Sequence, residues 1–169
     1  GMQVDPSIAP LPTGGFAVAW AENPSDSDLF GIVLGIFDSA GTELDTVQVN
    51  TVTPGSQTSP HLIADPTGTE LLVLWEDDAP ATSLGTVALR RFDTTGAPVD
   101  ADQITVPTGT YFFASEPTAA YAPDGSFIVA WTQSPTGAQT DVLVRLYSPT
   151  ATPLSAPTSV TSPATDGHE

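Results

Sequence analysis

One short apolar segment ending in tryptophan occurs three times. It reads Gly15-Phe16-Ala17-Val18-Ala19-Trp20, Glu70-Leu71-Leu72-Val73-Leu74-Trp75 and Ser126-Phe127-Ile128-Val129-Ala130-Trp131, and it uses every tryptophan of the chain. The tryptophans lie 55 and 56 residues apart. A second marker follows each at a fixed distance: Phe37-Asp38, Phe92-Asp93 and Tyr147-Ser148. Side chains alternate across a strand with period two. One face of each segment is therefore Phe16/Val18/Trp20, Leu71/Val73/Trp75 or Phe127/Val129/Trp131. The opposite faces, Ala17/Ala19, Leu72/Leu74 and Ile128/Ala130, are apolar too. A strand apolar on both sides is covered on both sides. The repeat thus predicts sheets stacked face to face, with Trp20, Trp75, Trp131, Phe37, Phe92 and Tyr147 in the core.

Each repeat divides into four strands. The first strands are predicted over Ser7–Leu11, His61–Ala64 and Thr118–Tyr121, each ending in a Pro/Gly/Asp turn that supplies preset or positive backbone angles. The tryptophan strands follow, then polar loops over Glu22–Asp28, Asp77–Ser83 and Ser134–Thr140. Third strands are predicted over Gly31–Phe37, Thr86–Phe92 and Asp141–Tyr147. The fourth, Thr46–Asn50, Gln103–Val106 and Thr158–Thr161, are polar and flanked by proline, as edge strands are. The chain reads as one all-β domain, 1–169, of about twelve strands, with repeats near 6–52, 58–107 and 115–162 and a tail at 163–169.

Charge excludes some partners. The chain has 3 Lys+Arg against 20 Asp+Glu, a formal net charge of −17, and no lysine. Nucleic acid and anionic membranes need clustered cations, so neither is an expected partner. There is no cysteine, which excludes disulfides and thiolate metal sites. No apolar run has the length of a membrane span. Gly1 before Met2 reads as a tag-cleavage remnant, so a leader or further domain is expected to have lain outside these residues.

A tandem four-stranded unit with Gly-Phe-x-Val-x-Trp, a polar loop, then Phe-Asp-x-x-Gly resembles the propeller-type repeats of secreted and surface-associated bacterial proteins. The resemblance spans roughly residues 6–162 and implies three four-stranded antiparallel β-propeller-like blades. It also implies an extracellular, cell-surface or periplasmic location. The third repeat departs from it, with Tyr147-Ser148 for Phe-Asp and Ala151 for glycine, which puts that turn's geometry in question. A β-sandwich or an open stack of sheets is the structural alternative. Propellers typically have about 4–8 blades, so three leave two apolar faces uncovered. A homodimer closing a six-bladed ring, or neighbouring blades of a longer chain, is expected to cover them.

Candidate sites lie at the end where the tryptophan strands finish. Glu22, Asp26 and Asp28, and Glu76, Asp77 and Asp78, are placed in loops there; hard cations such as calcium take such oxygen ligands, although no Asp-x-Asp-x-Asp-Gly run is present. Tyr111-Phe112-Phe113 offers Tyr111 and Phe112 for stacking on a sugar or a partner chain, or for packing between blades. Arg90 and Arg145 share one repeat position, which suggests a structural role such as pairing with Glu76, or a ligand contact. No catalytic constellation is marked: His61 and His168 are far apart, and no Gly-x-Ser-x-Gly elbow occurs. The Asp-box of bacterial sialidases is not matched either. The leading expectation is a non-catalytic binding, adhesion or scaffolding module without a cofactor, for a glycan or protein ligand. The alternatives are a carbohydrate-active enzyme and a calcium-dependent lectin.

Overall fold

The computed structural model describes residues 1–24, 29–78, 85–106, 112–134 and 136–160. They form three four-stranded antiparallel sheets, each a simple meander. The first holds β1 (Met2–Pro10), β2 (Phe16–Asn23), β3 (Gly31–Phe37) and β4 (Glu43–Gln48). The second holds β5 (Ser56–Ala64), β6 (Glu70–Asp78), β7 (Thr86–Asp93) and β8 (Ile104–Thr105). The third holds β9 (Phe113–Tyr121), β10 (Phe127–Ser134), β11 (Asp141–Tyr147) and β12 (Thr158–Ser159). The first strands β1, β5 and β9 approach one another between sheets, so the sheets fan out from an inner edge. They do not close into a ring. No helix among the described residues is long and apolar enough to cross a membrane.

The stacking follows the two-faced pattern. The tryptophan face of each sheet lies on the opposite face of the sheet before it. Leu71, Val73, Trp75 and Phe92 pack with Ala17, Ala19, Ala21, Ile32 and Leu34. Phe127, Val129, Trp131 and Tyr147 pack with Leu72, Leu74, Val87 and Leu89. Trp75 and Trp131 are 0% and 1% exposed. Trp20 and Phe37 depart from the sequence expectation: both are only half-buried. No sheet precedes the first one, so nothing in the chain covers its tryptophan face.

The turns after the third strands explain how the weakened third repeat keeps its shape. Asp38 Oδ1 accepts the amides of Ala40 and Thr42, each at 2.8 Å. Asp93 Oδ1 accepts those of Thr95 at 2.8 Å and Ala97 at 3.0 Å. The amide of Thr42 holds the Asp38 carboxyl below its ordinary range, and the Thr95 hydroxyl does the same for Asp93. Ser148 Oγ takes the carboxylate's place, accepting from Thr150 at 3.3 Å and Thr152 at 3.1 Å. Ala151 adopts φ 56° where Gly41 and Gly96 have 82° and 92°. The turn is therefore retained, with one left-handed alanine as its cost.

The first strands begin about five residues earlier than the sequence suggests, and β6 runs on through Glu76–Asp78. These acids stand in a strand, not in a loop. The ladder continues there through Ser56↔Asp78, Gln57↔Asp77 and Thr58↔Glu76, and it is the backbone pairing that overrides the polarity of the side chains.

The unequal cover of the tryptophans predicts unequal substitutions. Trp75→Ala should cost about 3–5 kcal/mol, as large buried aromatics do, whereas Trp20→Ala should cost about 1–2 kcal/mol for partial burial. Urea denaturation of the two variants checks this ordering.

Candidate functional site

The inner strands share a feature that the hydrophobic pattern hides. Each breaks register once: between Val4 and Ser7, between Thr58 and His61, and between Ser115 and Thr118. At each break one residue takes a left-handed conformation: Asp5 (φ 54°), Ser59 (φ 53°) and Glu116 (φ 54°). A proline follows each of them, Pro6, Pro60 and Pro117. Proline has no amide hydrogen to give a ladder, so it suits a bulge. The bulge in turn re-aims the residue beside it. A left-handed non-glycine residue costs about 1–2 kcal/mol, and strain of this kind concentrates at functional sites.

The three bulges meet in one concavity of about 370 Å³, lined by Asp5, Ser59, His61, Glu76, Glu116 and the three prolines. Hydrogen bonds hold part of this wall. Glu76 Oε1 accepts the Glu116 amide across the sheet boundary at 2.8 Å. Glu116 Oε2 accepts the Thr132 hydroxyl at 2.8 Å. The Thr118 hydroxyl lies 3.3 Å from His61 Nε2. Asp5 is exposed. Burial lowers the His61 pKa below its ordinary 6.5, opposed by a hydrogen bond with the Ala119 backbone, so the ring is neutral at pH 7. The wall therefore offers three carboxylates, a neutral imidazole and a hydroxyl. Such a set accepts hydrogen bonds from a ligand rich in hydroxyl groups.

The residues singled out from sequence fare unequally. Asp26, Asp28 and Tyr111 lie outside the described residues, as do His168 and the tail. Glu76 joins the concavity. Asp77 points the other way by strand alternation, so Glu76, Asp77 and Asp78 do not converge on one ion. No group of three or more His, Asp or Glu among the described residues is placed to hold a metal. Asp77 is 2% exposed and is held by Gln57 Nε2 at 3.2 Å and Gln103 Nε2 at 2.6 Å. Gln57 continues through Asn50 to the first sheet. This acid joins two sheets.

Arg90 and Arg145 clamp adjacent sheets through backbone carbonyls, not through Glu76. Arg90 Nη1 donates to Val49 O of the preceding sheet at 3.0 Å, and Arg145 Nη1 donates to Val106 O at 3.1 Å. Their Nε atoms reach Asp100 O and Ser155 O, each at 3.0 Å. Both guanidinium groups lie over the aromatic two residues on, Phe92 or Tyr147. The register opposes Arg90 to Val73, three residues away from Glu76, which rules out the expected pair. Arg91 also ties sheets, through Asp100 at 2.6 Å, Glu70 at 3.1 Å and the Pro149 carbonyl at 2.6 Å.

Phe112 is 51% exposed. It meets Phe113 edge to face at 6.3 Å and lies beside Gly137, where an added Cβ would come within 3.1 Å of its ring. It stands near the start of β9, four residues from Glu116. Sequence reasoning missed Asp5, Ser59 and Glu116. Their signal was a polar residue followed by proline, recurring at intervals of 54 and 57 residues.

No protein-family profile matches the chain, and no curated protein matches its sequence. Solved structures do match its shape. A Hadza microbial sialidase, Hz136, superposes with a TM-score of 0.66 at 13% identity, covering 89% of this chain and 36% of that one. An endo-arabinase from Bacteroides thetaiotaomicron gives 0.62 at 14% identity, over 93% of this chain and 61% of that one. A GH43 endo-arabinanase from Bacillus licheniformis gives 0.50 at 11% identity, over 89% and 56%. These likenesses show the fold. Three propeller-type blades are present and are not closed. The chain spans between about a third and three fifths of the lengths it matches.

Two consequences are measurable. Arg90→Ala removes a buried cation from three backbone acceptors and should cost about 2–3 kcal/mol, read by thermal or urea unfolding. His61 has a folded pKa below its unfolded one. Its contribution is therefore complete above about pH 6.5 and lost as pH falls through that value toward the folded pKa. A urea midpoint measured from about pH 8 to pH 5 should fall less steeply in His61→Gln than in the wild type.

Proposed function

We propose that this chain is a glycan-binding module of the cell surface or extracellular space, whose recognition surface is the inner wall formed by β1, β5 and β9. The observation that carries this reading is the recurrence of one strained bulge in three sheets with a polar side chain at each tip, Asp5, Ser59 and Glu116. Carboxylates and a neutral imidazole suit the vicinal hydroxyls of a sugar. Phe112, half exposed beside the start of β9, supplies a ring on which a sugar face can stack. The names of the structural neighbours, a sialidase and two arabinan-cleaving enzymes, support carbohydrate as the ligand class. An acidic, lysine-free chain supports the location. Hydrolysis is the second reading, favoured by Asp5 and Glu116 lining one concavity, since glycoside cleavage uses a pair of carboxylates.

The test is a glycan array followed by calorimetry on any hit, with and without chelator, and a reducing-end assay on the same sugars. Retained, uncleaved glycan is the expected result. Asp5→Asn and Glu116→Gln should each weaken binding about tenfold or more, the value of one charge-assisted hydrogen bond, without loss of fold. Cleavage would establish the second reading. A calcium requirement would move the site to the acidic loops, and no binding to any glycan would overturn the proposal.

A further inference from the structure

The two outer faces of the stack are complementary halves of a joint that the chain already makes twice. In both internal joints, a Phe-or-Leu/Val/Trp face lies on an aliphatic face whose inner positions are small or branched. The first sheet presents the tryptophan half with no sheet on it: Phe16, Val18, Trp20 and Phe37 are half-buried. The third sheet presents the aliphatic half. Ile128 is 40% exposed, Val142 38% and Leu146 39%, and Ala130 and Val144 lie between them. These are the positions that Ala17, Ala19 and Ile36, or Leu72 and Leu74, occupy in the internal joints.

We infer that the first sheet of one chain docks on the third sheet of a second copy, and the reverse, closing a two-fold ring of six blades. Repetition of an established interface identifies the occupant: what covers the tryptophan face inside the chain is the aliphatic face of the same repeat, and a second copy carries that face free. A head-to-tail contact either closes or grows without end. Closed propellers have about 4–8 blades, and six is the multiple of three in that range.

The joint between chains differs from the internal ones in one respect. Gly35 stands where Arg90 and Arg145 stand, so no guanidinium reaches across to the carbonyl of Val160, the counterpart of Val49 and Val106. An added Cβ at Gly35 would come within 3.0 Å of the Trp20 ring and 2.8 Å of Phe37. Trp20 therefore lies flat on its own sheet in the space the arginine would take. The joint between chains is apolar, lacks the clamp, and opens more readily than the internal ones.

Light scattering and sedimentation over a range of concentrations test this in the full chain. The expected species is twice the 17.4 kDa chain mass, with a blue shift of tryptophan emission on association, because Trp20 alone changes its exposure. Ile128→Asp and Val18→Asp each place a charge in the joint and should each raise the dimer dissociation constant about a hundredfold, with circular dichroism unchanged. Mixing the two variants should restore dimers, since one of the two joints is then intact on both sides. A monomer at all concentrations, open-ended oligomers, or a dimer indifferent to both substitutions would overturn the inference. So would variants that dissociate alone but are not rescued by mixing.

Discussion

Everything in this molecule depends on a large aromatic face seated on a small one. Trp75 rests on the Ala17/Ala19/Ala21 side of the first sheet, and that contact sets the spacing between sheets. Packing at crystal-like density lets side chains of unequal size interdigitate where equal ones would leave voids. The buried cluster then continues through Leu72 and Leu74 to Trp131 and Tyr147. The same rule, applied twice, stacks three sheets with their first strands together.

Hydrophobic packing has little direction, so polar links set the angle. Arg90 and Arg145 do this by reaching a carbonyl in the sheet before them. The Asp77–Gln57–Asn50 chain does it once more between the first two sheets. Buried charges are tolerable only when fully bonded. Arg90 meets this with three backbone acceptors and an aromatic face, and Asp77 with two amide side chains. These links explain why charged residues sit deep in an interface that is otherwise apolar.

The blade pattern was readable because it rests on period-two alternation and on turn chemistry, both local. Third-strand limits such as Gly31–Phe37 and Asp141–Tyr147 agree with the structure because Gly, Asp and aromatic markers bracket them. Two kinds of feature were not readable. Trp20 looks like Trp75 and Trp131 in sequence, yet its cover depends on a sheet that precedes it, and a strand does not encode its neighbour. The acidic run Glu76–Asp78 looks like loop because its partners, Gln57 and Gln103, lie 20 and 26 residues from Asp77. The site itself was hidden for a third reason. Asp5-Pro6, Ser59-Pro60 and Glu116-Pro117 read as strand breaks, when they are bulges within strands.

Comparing positive-φ positions separates scaffold from site. After the third strands the left-handed residue is Gly41, Gly96 or Ala151. There the backbone needs the angle and nothing larger than a methyl group is placed on it. At the inner-strand bulges the angle is just as constant, 53–54°, but the residues are Asp, Ser and Glu. A glycine would satisfy that backbone with less strain. Keeping a polar side chain there, in all three sheets, sets a functional group at the inner wall against the cost of an unfavourable conformation. The repeat supplies three equivalent bulges on a rigid edge. The side chains they carry differ from sheet to sheet, so an identical scaffold presents an unsymmetrical surface of the kind that recognises an unsymmetrical ligand.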